Sequence, residues 1–191
     1  ILLQCYSVRG MNVVAGMNIS NTISNLFNVV FIALGDSVAI VVGQLLGAGD
    51  MKKARDTDNK MIAFSVFCCI GVAAVLLILA PLFPELYNTN PEAKKLACQF
   101  IMISALFMPN NAFLHAAYFT LRSGGKTVIT FLFDSVFMWC VSVSMAFVLS
   151  RYTGLSVVAI FALVQAADII KSIIGFILVK KGVWLQNLVS G

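Results

Sequence analysis

Charged side chains are scarce in this sequence. Asp, Glu, Lys and Arg together make up 11% of its 191 residues, whereas hydrophobic residues make up 60%. A soluble domain carries about 25% charged residues and about 45–50% apolar ones. A chain with so little charge cannot cover its own surface in water, which excludes a soluble globular protein and indicates a lipid environment.

Metal-binding and disulfide signatures are also missing. The sequence has one histidine and five cysteines, and the cysteines show neither CxxC spacing nor a Cys/His cluster. Cysteines inside apolar runs usually behave as small hydrophobic residues. The pattern favours neither a metal site nor a disulfide framework, and we expect no bound cofactor. The cysteines are Cys5, Cys68, Cys69, Cys98 and Cys140.

Enzyme motifs are absent as well, because the sequence contains no HExxH, no GxSxG and no P-loop. Leu34-Gly35-Asp36 partly matches the Gly-x-Gly-Asp of intramembrane aspartyl proteases, but residue 33 is alanine and no second aspartate motif follows. We therefore expect a protein that is not an enzyme. The net charge of +5 does not indicate a nucleic-acid partner, because the basic residues are not clustered with stacking aromatics.

Long apolar runs dominate what the sequence does contain. A helix needs about 20 residues to cross a hydrocarbon core of ~30 Å, and five stretches reach that length. The sequence therefore predicts an all-α, polytopic transmembrane helix bundle that forms one domain over residues 1–191. The predicted spans are residues 13–47, 61–80, 96–121, 127–150 and 155–179.

Two stripes mark the first predicted span. Asn18, Asn21, Asn25 and Asn28 follow one another at spacings of 3, 4 and 3, which places four amides on one helical face. Amides are costly in lipid, so this face either lines a cavity or makes hydrogen bonds between helices. Further along, a small residue at every fourth position predicts a seam where another helix packs closely. The seam consists of Gly35, Ala39, Gly43 and Gly47.

Basic residues divide unequally between the two sets of connections, and the richer set is expected in the cytoplasm. The C-terminus belongs to the richer set, so we expect it to be cytoplasmic and the N-terminus to be outside. The richer set contains Lys52, Lys53, Arg55, Lys60, Arg122, Lys126, Lys180 and Lys181, and the poorer set contains Arg9, Lys94, Lys95 and Arg151.

Several segments resemble the second six-helix half of the multidrug and toxin extrusion (MATE) family. The more specific similarities are at the end of that family's eighth helix and in the loop after its tenth. The resemblance covers nearly the whole chain. The matching segments are residues 35–50 (eighth helix), 51–54 (the following loop), 121–127 (loop after the tenth helix), Asp134 with Trp139 (eleventh helix) and residues 184–188 (closing segment).

This resemblance implies a fold and a function. The family has twelve helices in two bundles that face a cleft, and it exports cationic or amphiphilic compounds in exchange for H⁺ or Na⁺. The chain, which starts at Ile1 with no signal-peptide pattern, would then be a fragment that lacks its N-terminal lobe. The resemblance also implies a monomeric transporter in a bacterial plasma membrane. A lipid-linked oligosaccharide flippase of related architecture is the alternative, followed by a structural or receptor-like membrane protein.

Polar residues inside the apolar spans are the candidate functional residues, because charges in a bilayer are costly unless they are paired. We take the four asparagines of the stripe, with Asn110 and Asn111, as the substrate-cavity candidates. The alternative for the last two, which follow Pro109, is that they satisfy backbone carbonyls that a proline kink frees.

Five ionisable residues are the candidates for proton or cation coupling. Each also has an ordinary structural interpretation, such as hydrogen-bonded packing for the single histidine and an i,i+3 ion pair on one helix for Asp168 and Lys171. Sodium-coupled members of the family often carry carboxylates on the seventh and tenth helices. Residues 96–121 contain neither Asp nor Glu, which places a carboxylate ion site in this half in doubt. The five candidates are Asp36, His115, Asp134, Asp168 and Lys171.

Overall fold

The computed structural model describes residues 2–185 and confirms the all-α transmembrane fold. Five helical stretches are long and apolar enough to cross a membrane, and residues 2–185 contain no β-strand. The predicted closing segment extends past residue 185 and so lies partly outside the described residues. In chain order the elements are α1 (Leu2–Ser7), α2 (Met11–Gly47), α3 (Met51–Leu79), a 3₁₀ turn (Phe83–Leu86), α4 (Pro91–Ser123), the stretch Thr127–Tyr152 and α7 (Val157–Lys181).

The stretch Thr127–Tyr152 is not a uniform α-helix. It begins as α5 (Thr127–Phe131) and ends as α6 (Ser144–Tyr152), with two π-helical segments between them, Leu132–Val136 and Met138–Val143. Such segments are rare and often occur at functional sites. No pattern in the sequence indicated this wider winding.

Helix α3 begins at Met51, ten residues before the predicted start of the second span at residue 61, so that predicted boundary was wrong, as was the loop expected over residues 51–54. Asp50 Oδ1 accepts a hydrogen bond of 3.2 Å from the Lys53 amide, as an N-cap residue does. The exposed i,i+4 pair of Asp56 and Lys60, 2.5 Å apart, adds local support. Charged residues with good helix propensity therefore extend α3 beyond its apolar part.

A tight glycine turn joins α2 to α3. Gly49 adopts a positive φ of 79°, and the amides of Gly49 and Asp50 donate to the carbonyls of Leu46 and Leu45. These two bonds satisfy carbonyls at the end of α2, as in a glycine C-cap. Gly47 is thus the last residue of α2, and Gly49 supplies the turn that leads into α3.

The chain forms two compact units, and each long helical stretch contributes to both. Unit 1 consists of residues 1–28, 71–108 and 138–168, and unit 2 consists of residues 29–70, 109–137 and 169–191. All basic residues of the richer predicted set belong to unit 2, and those of the poorer set belong to unit 1. The grouping of connections that charge counting used is therefore also the grouping of the fold.

Unit 1 is held together by an aromatic core and by one arginine. Phe161 packs against Tyr6, with ring centroids 6.3 Å apart, and against Phe100, with centroids 5.0 Å apart. Arg9 donates from Nε to the Ser150 carbonyl at 2.7 Å, and its Nη2 donates to the carbonyls of Leu149 and Thr153. Buried core residues of this unit include Cys5, Tyr6, Val13, Met17, Phe100, Ala146, Ile160 and Val164.

Unit 2 packs around the second half of α2 and around Trp184. Trp184 is fully buried, and its indole N–H donates to the Val179 carbonyl at 3.1 Å. Arg55 Nη2 donates to the Lys180 carbonyl at 2.7 Å, which ties the start of α3 to the end of α7. The core cluster here consists of Val38, Val42, Leu46, Ala54, Leu121 and Trp184.

The small-residue seam on α2 was predicted correctly at one end only. Gly35 is buried, and a Cβ added there would lie 2.3 Å from Phe119 Cδ2. Among residues 2–185, no neighbouring atom outside the backbone of α2 lies within 4 Å of a Cβ added at Gly43 or Gly47. The packed face of α2 instead consists of the fully buried Val38, Val42 and Leu46. Their branched side chains fill the space between α2 and its neighbours, so the helix backbones do not come into close contact there.

Candidate functional site

Lys171 and Asp134 form an ion pair within unit 2. Lys171 Nζ lies 2.8 Å from Asp134 Oδ1 and joins α7 to the first π-helical segment. The lysine side chain is only 13% exposed, whereas the aspartate side chain is 52% exposed. The lysine is thus the less solvated partner, and its charge would be costly in an apolar helix without the carboxylate.

A glycine permits the close packing beside this pair. Gly175 lies one turn after Lys171, and a Cβ at that position would come within 2.9 Å of Phe133 Cζ. The Phe133 ring centroid is 5.2 Å from Lys171 Nζ, which is a cation–π distance. The ammonium therefore has two partners, the carboxylate of Asp134 and the ring of the residue before it.

Asn110 joins α4 to α7 next to the ion pair. Its side-chain oxygen accepts a hydrogen bond of 2.6 Å from the hydroxyl of Ser172, the residue after Lys171. Its amide nitrogen is buried and has no hydrogen-bond partner among residues 2–185. Asn110 thus makes an interhelical contact through its side-chain oxygen. Its buried amide nitrogen can still donate a hydrogen bond to a ligand or a water molecule.

His115 lies one helical turn and a half after Pro109 and is half-buried. Its ring stacks on Phe31 of α2, with centroids 6.2 Å apart and planes 26° apart. Lys171 and Asp134 both act on it electrostatically. The histidine therefore combines the packing role with a position close to the ion pair.

These side chains form what we call the polar cluster: Asn110, His115, Asp134, Lys171 and Ser172. Its charged pair, buried amide donor and imidazole can exchange a proton or hold a charged ligand. They do not present a nucleophile activated by a general base. Within residues 2–185, no three His, Cys, Asp or Glu side chains are grouped as a metal ion would require.

The sequence model of the MatE family matches residues 2–148. The chain belongs to the MatE family. The resemblance inferred from its motifs is therefore confirmed, and the chain is part of a membrane transporter family.

Several named relatives of this MatE chain are bacterial multidrug resistance proteins. The chain is 30% identical over 129 residues to the multidrug resistance protein PmpM of Pseudomonas aeruginosa, covering 67% of the chain and 27% of the relative. It is 26% identical over 164 residues to the probable multidrug resistance protein YoeA of Bacillus subtilis, covering 83% and 34%. It is also 26% identical over 144 residues to the multidrug resistance protein MdtK of Photorhabdus laumondii, covering 75% and 31%.

The MatE chain spans only about a third of the length of these relatives. No solved structure matches it significantly.

The asparagine stripe of this MatE chain belongs to unit 1, and the polar cluster belongs to unit 2. Asn18, Asn21 and Asn25 are exposed and Asn28 is half-buried, with its amide 3.5 Å from the Asn25 side-chain oxygen. The stripe thus has three of its four amides exposed. Its role as a cavity wall stays a prediction, as does that of the half-buried Asn111.

The remaining coupling candidates are placed differently. Asp36 is exposed on α2, and Asp168 is half-buried and makes an interaction of its own. Lys171 forms an ion pair with Asp134 on a neighbouring helix, and the i,i+3 pair of Asp168 and Lys171 stays a prediction. The wider winding around Asp134 is the local feature that the sequence pattern did not reveal.

Sequence reasoning missed one buried carboxyl altogether, that of Asp58. It is fully buried near the start of α3, and Oδ1 is 2.6 Å from the hydroxyl oxygen of the equally buried Thr120 on α4. A signal was present, because α3 buries positions at spacings of three and four that extend back through Asp58. These positions are Ala54, Asp58, Ile62, Ser65, Cys69, Ala73 and Leu76.

Two cavities of about 470 and 550 Å³ also lie in unit 1. One is bordered by Gln4, Val143 and Arg151, and the other by Glu85, Lys94 and Gln99. None of the candidate residues named from the sequence lines either of them. The chemistry of the polar cluster, rather than cavity size, therefore identifies the candidate site.

Proposed function

We propose that this chain is part of a secondary active antiporter that exports cationic or amphiphilic drugs and toxins in exchange for H⁺ or Na⁺. The family and the multidrug resistance names of PmpM, YoeA and MdtK support export of such compounds over flipping of lipid-linked oligosaccharides. In this proposal the chain works in a bacterial plasma membrane with its C-terminus in the cytoplasm. It forms one lobe of a monomeric transporter and pairs with an N-terminal lobe of the same protein.

The nearly buried Lys171 and its partner Asp134 are the observation that carries the proposal. An ionisable pair in an apolar span is expensive to keep, so its presence favours a role in the movement of charge. A proton or a cation that binds Asp134 competes with the ammonium for the carboxylate. Such competition would change the contact between α7 and the span before it.

The asparagine stripe supplies the substrate side of the proposal. Three of its four amides are exposed in unit 1, where each can hydrogen-bond a polar group of a passing compound. Neutral amides tolerate cations without binding them tightly, which suits a broad substrate range. In this proposal the stripe lines the substrate pathway and the polar cluster couples transport to the ion.

Inside-out vesicles from a drug-sensitive bacterium that expresses the complete reading frame of this chain would test the proposal. A fluorescent organic cation should accumulate in these vesicles when either a proton or a sodium gradient is imposed. We expect K171M and D134N to reduce this accumulation about tenfold, which corresponds to about 1.4 kcal/mol.

The matched control is K60M, which removes an exposed ion pair of Lys60 with Asp56. We expect it to change accumulation less than about twofold, because exposed pairs contribute little. If accumulation in the wild type depended on neither gradient, the proposal of an antiporter would be refuted. If K171M accumulated the cation at the wild-type rate, the polar cluster would have no role in coupling.

The same assay tests the stripe with the double variant N25L/N28L and with N59L as its control, because Asn59 is an exposed amide on α3. We expect the double variant to lower accumulation while its abundance in the membrane stays unchanged. If abundance falls together with transport, the stripe is a packing surface and not a substrate pathway.

A further inference from the structure

The buried contact between Asp58 and Thr120 has more acceptors than hydrogens. The Thr120 hydroxyl oxygen lies 2.6 Å from Asp58 Oδ1 and 2.9 Å from the carbonyl oxygen of Ala116. A threonine hydroxyl carries one hydrogen and two lone pairs. It cannot donate fully to both oxygens, and the bond to the carbonyl four residues earlier is the usual one for threonine in a helix.

The second oxygen of the same carboxyl gives independent evidence. Asp58 Oδ2 is buried and has no hydrogen-bond partner among residues 2–185, and no ion pair in that part of the chain includes Asp58. An ionised carboxylate in this position would keep one buried oxygen without a donor or a paired cationic side chain among residues 2–185. A neutral carboxylic acid leaves only a carbonyl oxygen unpaired, which costs far less.

The charged groups on the neighbouring helix ends are directed elsewhere. Arg55 donates to the Lys180 carbonyl, Lys60 pairs with Asp56, and Asp50 caps the start of α3. Apart from Asp58, the charged residues at these helix ends are exposed except for Lys126, which is half-buried, and within residues 2–185 no ion pair joins any of them to Asp58. The exposed ones are Asp50, Lys52, Lys53, Arg55, Asp56, Lys60, Arg122, Lys180 and Lys181.

We propose that Asp58 is a proton-binding site whose carboxylic acid donates its hydrogen to Thr120 and so joins α3 to α4. The Thr120 hydroxyl passes its own hydrogen to the Ala116 carbonyl, and every contact is then satisfied. Loss of the proton to water leaves a carboxylate and a hydroxyl that can make only one of the two bonds. The contact between α3 and α4 is therefore fully hydrogen-bonded only while Asp58 holds its proton, and loss of the proton weakens it.

This site is distinct from the polar cluster and does not depend on what the protein transports. The ligand is the proton itself, and the site consists of one acid and one hydroxyl on two helices. The site also provides a buried carboxyl on α3, whereas residues 96–121 of α4 contain neither Asp nor Glu.

Infrared spectroscopy of the purified full-length protein in lipid vesicles tests the proposal directly. We expect a carbonyl-stretch band of a protonated carboxyl at pH 5 that moves to lower frequency after exchange into D₂O and that weakens as the pH is raised. The band should disappear in D58N and persist in D56N, the matched control at an exposed aspartate two residues away. It should also keep its position in T120S, which retains the hydroxyl.

A second variant covers the case in which D58N fails to fold. T120V removes the hydroxyl with little change in shape, so the carboxyl band should remain but shift to higher frequency as it loses its hydrogen bond. The absence of a protonated band in the wild type, or a band that survives in D58N, would overturn the proposal. So would a band that T120V leaves unmoved.

Discussion

At the residue scale, two glycines show how closely the helices of unit 2 approach their neighbours. A Cβ on Gly35 would meet the side chain of Phe119, which can move. A Cβ on Gly124 would lie 2.3 Å from the Trp184 carbonyl oxygen and 2.6 Å from its Cα, which are backbone atoms. Because backbone cannot rotate out of the way, Gly124 is the more restrictive of the two positions.

We therefore predict that G124A lowers the free energy of unfolding by about 2–3 kcal/mol through overpacking against Trp184. The measurement is thermal unfolding of the purified full-length protein in detergent. The matched control is G43A, where no neighbouring atom of residues 2–185 outside the backbone of α2 lies within 4 Å of the new Cβ. Alanine should stabilise α2 there by up to about 1 kcal/mol, so equal losses in the two variants would contradict the packing.

Residue patterns identified polar positions better than they identified partners. Spacing and composition pointed to Asn110, His115, Asp134 and Lys171, which the structure brings into one region. The pair of Lys171 with Asp134 was not predictable, because spacing along one helix gives no information about an aspartate on another helix. Asp58 escaped notice because its charge suggested a solvated loop, although its position follows the buried periodicity of α3.

At the element scale, the apolar runs determined the existence of every span but not where each helix ends. Hydrophobicity reports the part of a helix that lipid covers, so it could not show that α3 continues through charged residues back to Met51. The π-helical segments before and after Phe137 were equally hidden. Their winding is set by packing with other helices, which has no local signature in composition.

The end of α6 depends on a side chain from far away in the sequence. Arg9 is half-buried and donates to three carbonyls in residues 149–153, where the last carbonyls of a helix lack partners within it. A cation at a helix C-terminus is also favoured by the helix dipole. One arginine therefore caps α6 and ties the segment between α1 and α2 to it.

We predict that R9M lowers the free energy of unfolding by about 2 kcal/mol, since hydrogen bonds to charged groups contribute about 1.5–3 kcal/mol each and water replaces part of them. R9K should recover only part of this loss, because an ammonium lacks the planar fork of guanidinium. Denaturation in detergent measures all three proteins. R151M is the control: Arg151 is exposed and lies 4.6 Å from the Phe147 ring, so its loss should cost about 0.5–1 kcal/mol. A larger effect for R151M than for R9M would refute the capping role.

At the scale of the whole molecule, charge counting and packing agree on which connections belong together. Arg55 reaches the end of α7, and Gly124 packs against Trp184, so the connections of the richer basic set are joined within unit 2. In unit 1, Asn12 donates to Glu92 at 2.6 Å and Arg9 binds the end of α6, which joins the connections of the poorer set. The side of the membrane on which each set lies follows only from the positive-inside rule.

We predict that Lys53 faces the cytoplasm and Asn88 faces the outside, because eight basic residues accompany the first and four accompany the second. Both side chains are exposed, so K53C and N88C in a full-length protein without its native cysteines should react with a membrane-impermeant maleimide from opposite sides. In intact cells N88C should be labelled and K53C should not, until the membrane is permeabilised. K181C and Y152C extend the test, since the former should follow K53C and the latter N88C. Labelling of K53C and K181C in intact cells, with N88C protected, would reverse the orientation while it leaves the grouping intact. Labelling that separates K53C from K181C would break the grouping itself, and with it the assignment of five membrane crossings.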